Sequence, residues 1–193
     1  MKIEYEATFI EVDKDEIRAR LRSVGAQLVK EEFMQRRTVF NLPPSARVPG
    51  SWIRVRDEGE QITVSVKIVD GDKIENQKET CLTVDNYTEA ETFLSTIGCE
   101  WCAYQETLRE RWELDGVEVT IDTWPFLEPF VEVESDTEAR VRIVAEKLGF
   151  DWATAKFCSV DTLYHEKYGT PLKVINDHTP KIVFEMENPF MKA

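Results

Sequence analysis

Apolar and polar residues alternate with a period of two along much of this chain, as in strands that bury one face. In the first such run Ile3, Tyr5, Ala7 and Phe9 share one face, and Glu4, Glu6 and Thr8 share the other. Ile53 and Val55 oppose Arg54 and Arg56, and Ile62, Val64, Val66 and Ile68 oppose Thr63, Ser65 and Lys67. Val117, Val119 and Ile121 oppose Glu118, Thr120 and Asp122, and Val131 and Val133 oppose Glu132 and Glu134. The pattern predicts strands near 2–10, 35–42, 51–57, 61–69, 78–84, 105–114, 117–123 and 130–135, and 181–187 reads as one more. Asp57-Glu-Gly59, Asp70-Gly71 and Asp115-Gly116 are hairpin signals. Pro43, Pro44, Pro49 and Gly50 mark 41–51 as a loop.

Three stretches switch to a helical period, each opening on a capping-box pattern and stopping at glycine. Asp13-Lys-Asp-Glu16 leads into Ile17, Leu21 and Val24 and ends at Gly25. Thr88-Glu-Ala-Glu91 leads into Leu94 and Ile97 and ends at Gly98. Ser135-Asp-Thr-Glu138 leads into Val141, Val144, Ala145 and Leu148 and ends at Gly149. A fourth helix, or a pair of turns, covers 151–168. The element order repeats weakly, each half reading β-α-β-β, with residues 1–70 as the first half and 71–135 as the second. Residues 136–193 then supply C-terminal helices and a tail to a single domain spanning 1–193. Two such halves can close one antiparallel sheet and leave no edge exposed. The expected fold class is α+β, a closed antiparallel β-tunnel.

Composition narrows the setting. At 193 residues with 42% hydrophobic content, the chain can bury a sizeable core. No apolar run approaches a membrane span, and Met1-Lys2-Ile3-Glu4 is acidic where a leader peptide would be apolar. A cytoplasmic protein without membrane contact is expected. The net charge of −13 repels a phosphate backbone, so duplex nucleic acid is not an expected partner. Cys99-Glu-Trp-Cys102 has metal-ligand spacing but no second ligand pair. With Cys81 and Cys158 it reads as reduced, partly buried thiols, and His165 and His178 read as surface residues.

The polar faces carry the candidate chemistry. An ordinary sheet with one solvated face mixes charges of both signs. Here the signs segregate by strand. Glu4 and Glu6 share one face, Glu132 and Glu134 another, and Asp122 a third, while Arg54 and Arg56, Lys67, and Arg109 and Arg111 occupy others. Arginine pairs suit bidentate contact with phosphate oxygens. If these faces turn inward, the apolar faces turn outward and the helices must cover them, the reverse of a small barrel with an apolar interior. Such an interior is costly unless neutralised. A divalent cation satisfies the acids and an anion the bases, and together these describe a metal-bound polyphosphate.

Glu4-Tyr-Glu6 resembles the ExExK signature of the CYTH superfamily, the triphosphate tunnel metalloenzymes. Trp52-Ile-Arg54-Val-Arg56, Ser65-Val-Lys67, Arg109-Glu-Arg111-Trp112 and Asp122 followed by Phe130-Val-Glu132-Val-Glu134 resemble its further strands, in order. The resemblance implies an eight-stranded tunnel with a polar interior and helices outside. It implies Glu4, Glu6, Asp122, Glu132 and Glu134 as metal-site residues for Mg²⁺ or Mn²⁺. It implies Arg54, Arg56, Lys67, Arg109 and Arg111 as the grip on a triphosphate-bearing small molecule, with Glu4, Glu6, Lys67 and Arg54 catalytic. The implied function is a metal-dependent phosphohydrolase of inorganic triphosphate, nucleoside triphosphate or thiamine triphosphate. The alternatives are a class IV-type adenylyl cyclase and a non-catalytic nucleotide- or polyphosphate-binding protein, as a monomer or homodimer. Thr8 stands where the signature has lysine, Gln77 where arginine is frequent, and Glu128-Pro129 where glycine is common. Glu79 can face the tunnel. Loop 41–51 and segment 151–168, with Tyr164 and Tyr168, are candidates for a nucleoside-binding mouth, although packing is the simpler role for both tyrosines.

Overall fold

The computed structural model describes residues 1–191. Two short strands, β1 (Lys2–Ile3) and β2 (Tyr5–Phe9), precede helix α1 (Lys14–Ser23). There follow β3 (Gln27–Asn41), β4 (Ser51–Asp57), β5 (Ile62–Val69), β6 (Gln77–Val84) and helix α2 (Tyr87–Thr96). Then come β7 (Glu100–Leu114), β8 (Val117–Thr123), β9 (Phe130–Ser135), α3 (Glu138–Lys147), α4 (Val160–Tyr168), α5 (Leu172–His178) and β10 (Lys181–Ile182).

The strands lie in the order β1-β6-β5-β4-β3-β7-β8-β9-β2, with β10 parallel beside β7. The two ends of this path are adjacent pieces of chain, parted only by Glu4, whose N–H donates to Gln77 O at 3.0 Å. The first alternating run therefore bridges the sheet's two ends: its start pairs with β6 and its remainder with β9. The result is a nearly closed antiparallel barrel. The expected count of eight strands becomes nine on this path, because the bridging run is split, and β10 makes ten. With the split run counted once, each half carries β-α-β-β-β, one strand more than the repeat read from the sequence.

Strands β3 and β7 begin well before the alternation does. They pair with each other through register shifts at Leu28/Lys30, Lys30/Phe33 and Val39/Phe40, irregularities that break the period-two signal. Helix α1 is capped as expected, Asp13 Oδ1 accepting from the Glu16 N–H at 2.9 Å. Helix α2 starts at the Asn86 cap instead of Thr88, with Asn86 Oδ1 accepting from the Glu89 N–H. The α3 cap is Thr137 instead of Ser135. Segment 151–168 divides into a 3₁₀ turn at Trp152–Thr154 and α4, while α5 carried no periodic signal in its seven residues. Only Lys181–Ile182 of the expected last strand pairs.

The core lies outside the barrel wall. Ala7, Phe9, Val119, Ile121, Val131 and Val133 point outward and pack against Ile17 and Leu21 of α1 and Val141, Val144, Ala145 and Leu148 around α3. Phe40, Ile53 and Val55 pack beneath Ala90 and Leu94 of α2. Trp124 and Phe130 meet Leu163, Tyr164, Ile175, Ile182 and Phe190. Burying side chains of this size contributes roughly 1.5–3 kcal/mol each. Since strand neighbours point to opposite faces, this outward burial turns the charged set inward. Tyr164 Oη donates to Pro125 O and Tyr168 Oη to Phe126 O, so both tyrosines anchor the α4 packing. Cys81 is exposed, where partial burial was expected; Cys99 is buried, and Cys102 and Cys158 are half-buried. His165 and His178 are exposed. Among the described residues no helix is long and apolar enough to cross a membrane.

Candidate functional site

The barrel encloses a cavity of about 1270 Å³ lined by most of the inward-facing charges. One wall is acidic. Glu6 pairs directly across from Glu134, and Glu134 also lies opposite Glu118. Like charges facing each other across strands repel. Burial, reinforced by Glu134 and Glu79 and only partly offset by Lys67, pushes the Glu4 carboxyl up to about 8. Burial and Glu6 push Glu134 up to about 7. Burial, Glu6 and Asp122 raise Glu132 well above the carboxylate range. Lys67 reaches into this wall, 3.3 Å from Glu4 and 3.5 Å from Glu6. Burial works against its charge, but the two glutamates outweigh it and raise its pKa.

The facing wall is basic. Arg54 Nε donates to Ser65 at 3.0 Å, and its Nη2 lies 3.2 Å from Glu79. Burial alone would raise Glu79, but Arg54 and the Ser65 hydroxyl outweigh it and hold the carboxyl at about 2. Arg56 lies 2.5 Å from Glu58, and burial and the neighbouring Arg54 lower its pKa to about 10. Arg109 donates from Nε and Nη2 to the two oxygens of Asp122 at 2.7 Å each, and from Nη2 to Glu132 at 2.6 Å. Arg111 meets Glu118 at 2.6 Å in a more exposed pair.

The structure thus brings Glu4, Glu6, Glu132, Glu134, Arg54, Arg56, Lys67, Arg109 and Arg111 to one cavity. Asp122 stands apart. Its side chain is 1% exposed, it does not line the cavity, and its Oδ2 also accepts from Thr120. Thr8 is buried opposite Glu132, and its backbone exchanges hydrogen bonds with Lys156. Gln77 donates from Nε2 to the Glu6 carbonyl.

Several lining residues escaped the sequence reading. Arg37 and Gln35 face inward from β3. Parity from Phe40, which is buried outside, would have placed them; the neighbouring Arg36 obscured which arginine turns in. Glu58, within the Asp57-Glu-Gly59 turn signal, also lines the cavity. The carboxylates of the acidic wall are oxygen donors of the kind hard divalent cations take, and the raised pKa values of Glu4, Glu132 and Glu134 mark a site whose negative charge lacks compensation. As placed, no three His, Cys, Asp or Glu among the described residues are arranged to hold a metal ion.

A nearly closed antiparallel tunnel with a charged interior and an external core defines the structural class. The CYTH domain family model matches residues 2–156, and the chain belongs to that family. No curated protein matches the chain. Solved structures share the fold at low identity. A Vibrio parahaemolyticus protein provisionally assigned as an adenylate cyclase is 15% identical, with a TM-score of 0.69, over 84% of this chain and 97% of its own. A provisionally assigned Hippeastrum adenylyl cyclase, described with a dominant triphosphatase activity, is 10% identical, with a TM-score of 0.53, over 90% and 99%. A chain of the Schizosaccharomyces pombe Mediator head module is 15% identical, with a TM-score of 0.55, over 79% and 97%.

Proposed function

We propose that this protein is a divalent-metal-dependent phosphohydrolase of triphosphate-containing substrates. The observation that carries the reading is the single cavity in which an over-crowded acidic wall faces a wall of arginines. Glu4, Glu6, Glu132 and Glu134 would hold Mg²⁺ or Mn²⁺. When bound, the metal supplies Lewis-acid polarisation and a positioned water. The chain's own residues do the rest. Arg54, Arg56 and Arg111 hold phosphoryl oxygens, and their charge offsets the negative charge that develops there. Lys67, fixed between Glu4 and Glu6, presents its ammonium where the two walls meet. Asp122 acts as a positioning residue, since its two hydrogen bonds fix the plane of the Arg109 guanidinium.

A cyclase reading draws support from apolar residues in the same lining. Phe157, Tyr164, Leu172 and Ile175 are among them, with Asn176, side chains of the kind that take a nucleoside. One panel separates these readings: tripolyphosphate, ATP, GTP and thiamine triphosphate, each with Mg²⁺ or Mn²⁺, with products resolved chromatographically. Orthophosphate release is expected. Cyclic AMP with pyrophosphate from ATP would favour cyclisation, and tight binding without turnover of any substrate would overturn the enzymatic reading.

A further inference from the structure

Seven arginines and lysines line the cavity, and six of them have a carboxylate partner: Arg47, Arg54, Arg56, Lys67, Arg109 and Arg111. Arg37 is the exception among the described residues. It is also the most deeply buried arginine, at 4% exposure. Its Nη2 donates to Thr107 Oγ1 at 2.6 Å and Gln35 Oε1 at 3.0 Å, both neutral groups, and its guanidinium stacks 4.6 Å from the Trp124 ring. Its Nε makes no hydrogen bond. A buried guanidinium without a counter-charge is costly to keep.

A second residue of the same cross-strand row also lacks a partner. Arg37 lies directly across from Arg56 on β4, and Arg56 directly across from Thr63 on β5. Directly opposed residues hold their Cβ atoms roughly 5 Å apart, so the three form one row across adjacent strands, all lining the cavity. Thr63 Oγ1 is buried with no partner. Arg56 between them is ion-paired, its Nε 2.5 Å from Glu58. Two members of one cavity-lining row, Arg37 and Thr63, therefore each hold a buried polar atom without a partner. Thr63 and Lys67 are four positions apart on β5, roughly 13 Å along the strand, which sets the row away from Glu4 and Glu6.

We infer that Arg37, Arg56 and Thr63 form an oxyanion subsite that takes the phosphoryl group at the end of the ligand remote from the acidic wall. This rests on the triphosphate reading above and extends it, because the charge that fixes the ligand's far end comes from β3. A phosphoryl group suits the row. Its several acceptor oxygens can take the Arg37 guanidinium and the threonine hydroxyl together, with the charge of Arg56 beside them, and its charge supplies the counter-ion that Arg37 lacks.

The test is calorimetric titration of the full chain with tripolyphosphate in Mg²⁺, comparing wild type with R37M, R37K, T63V and R54Q. R37M is expected to weaken binding by about tenfold or more, the usual range for losing hydrogen bonds to a charged group. R37K, which keeps the charge and loses the fork, is expected to recover only part of it. T63V, which keeps the side-chain shape, is expected to weaken binding severalfold and serves if R37M does not fold. Wild-type affinity in T63V and in a folded R37M, with R54Q weakened, would overturn the subsite and leave the cavity assignment standing. Wild-type affinity in R54Q as well, or no binding by wild type, would overturn both.

Discussion

Replacing Asp122 with asparagine separates a positioning role from a ligand role. The Asp122 carboxylate accepts two hydrogen bonds from Arg109 and one from Thr120, and its side chain is 1% exposed. Asparagine keeps the volume but sets an amide N–H₂ against donors and removes the charge. Arg109 is then left with Glu132 alone. Removing one partner of a buried ion pair costs roughly 3–5 kcal/mol, because the other charge stays buried. The Arg111–Glu118 pair is an internal control, its side chains being 32% and 36% exposed. Breaking that pair with E118Q should cost no more than about 1 kcal/mol. The assay is equilibrium urea denaturation followed by tryptophan fluorescence at pH 7. D122N should lower the transition midpoint at an unchanged slope. A loss below about 1 kcal/mol for D122N, or an equal loss for E118Q, would refute the claim that Asp122 anchors Arg109 within the wall.

Two further outcomes test the electrostatics and the external core. Glu4 at about 8 and Glu134 at about 7 bind more protons folded than unfolded. Their contribution therefore falls as pH rises from the ordinary carboxylate range to about 8, and a bound divalent cation offsets the loss. The melting temperature of the metal-free protein should fall between pH 5.5 and 8.5, and Mg²⁺ should raise it more at the higher pH; an Mg²⁺ effect that shrinks with pH would contradict the site's charge balance. Phe9, 3% exposed and stacked on Phe150 at 4.3 Å, should cost roughly 3–5 kcal/mol on replacement by alanine. F93A, at a side chain that is 62% exposed, should change stability by no more than about 0.5 kcal/mol, and equal losses would place the core elsewhere.

The inside and outside of the barrel were legible because alternation fixes parity residue by residue. Ile53 and Val55 outward forces Arg54 and Arg56 inward, and Val131 and Val133 do the same for Glu132 and Glu134. Most of what escaped had no clear parity to read. The register shifts between β3 and β7 erased the alternation before residue 35, and with it the early start of β3, while the neighbouring Arg36 masked the inward turn of Arg37. The split at Glu4 could not be read, because one continuous pattern serves two different neighbours. Helix α5 is too short to show a period, and its place is set by packing of Ile175 against Tyr164 and Ile182. Asp122 shares its strand face with Glu118, which lines the cavity, yet it lies behind Arg109. Parity tells which face a side chain takes; whether it reaches the lumen depends on what its cross-strand neighbour covers. The missing charges at Thr8 and Gln77 also look different in three dimensions, since Arg37 adds one on the opposite wall.

The central claim is that the acidic and basic walls act together on a metal-bound triphosphate. Its most direct test is phosphate release from tripolyphosphate, with Mg²⁺ or Mn²⁺, by wild type and by the E4Q/E6Q double variant. The account predicts metal-dependent release by wild type and none by the folded double variant. Undiminished release by that variant would contradict it.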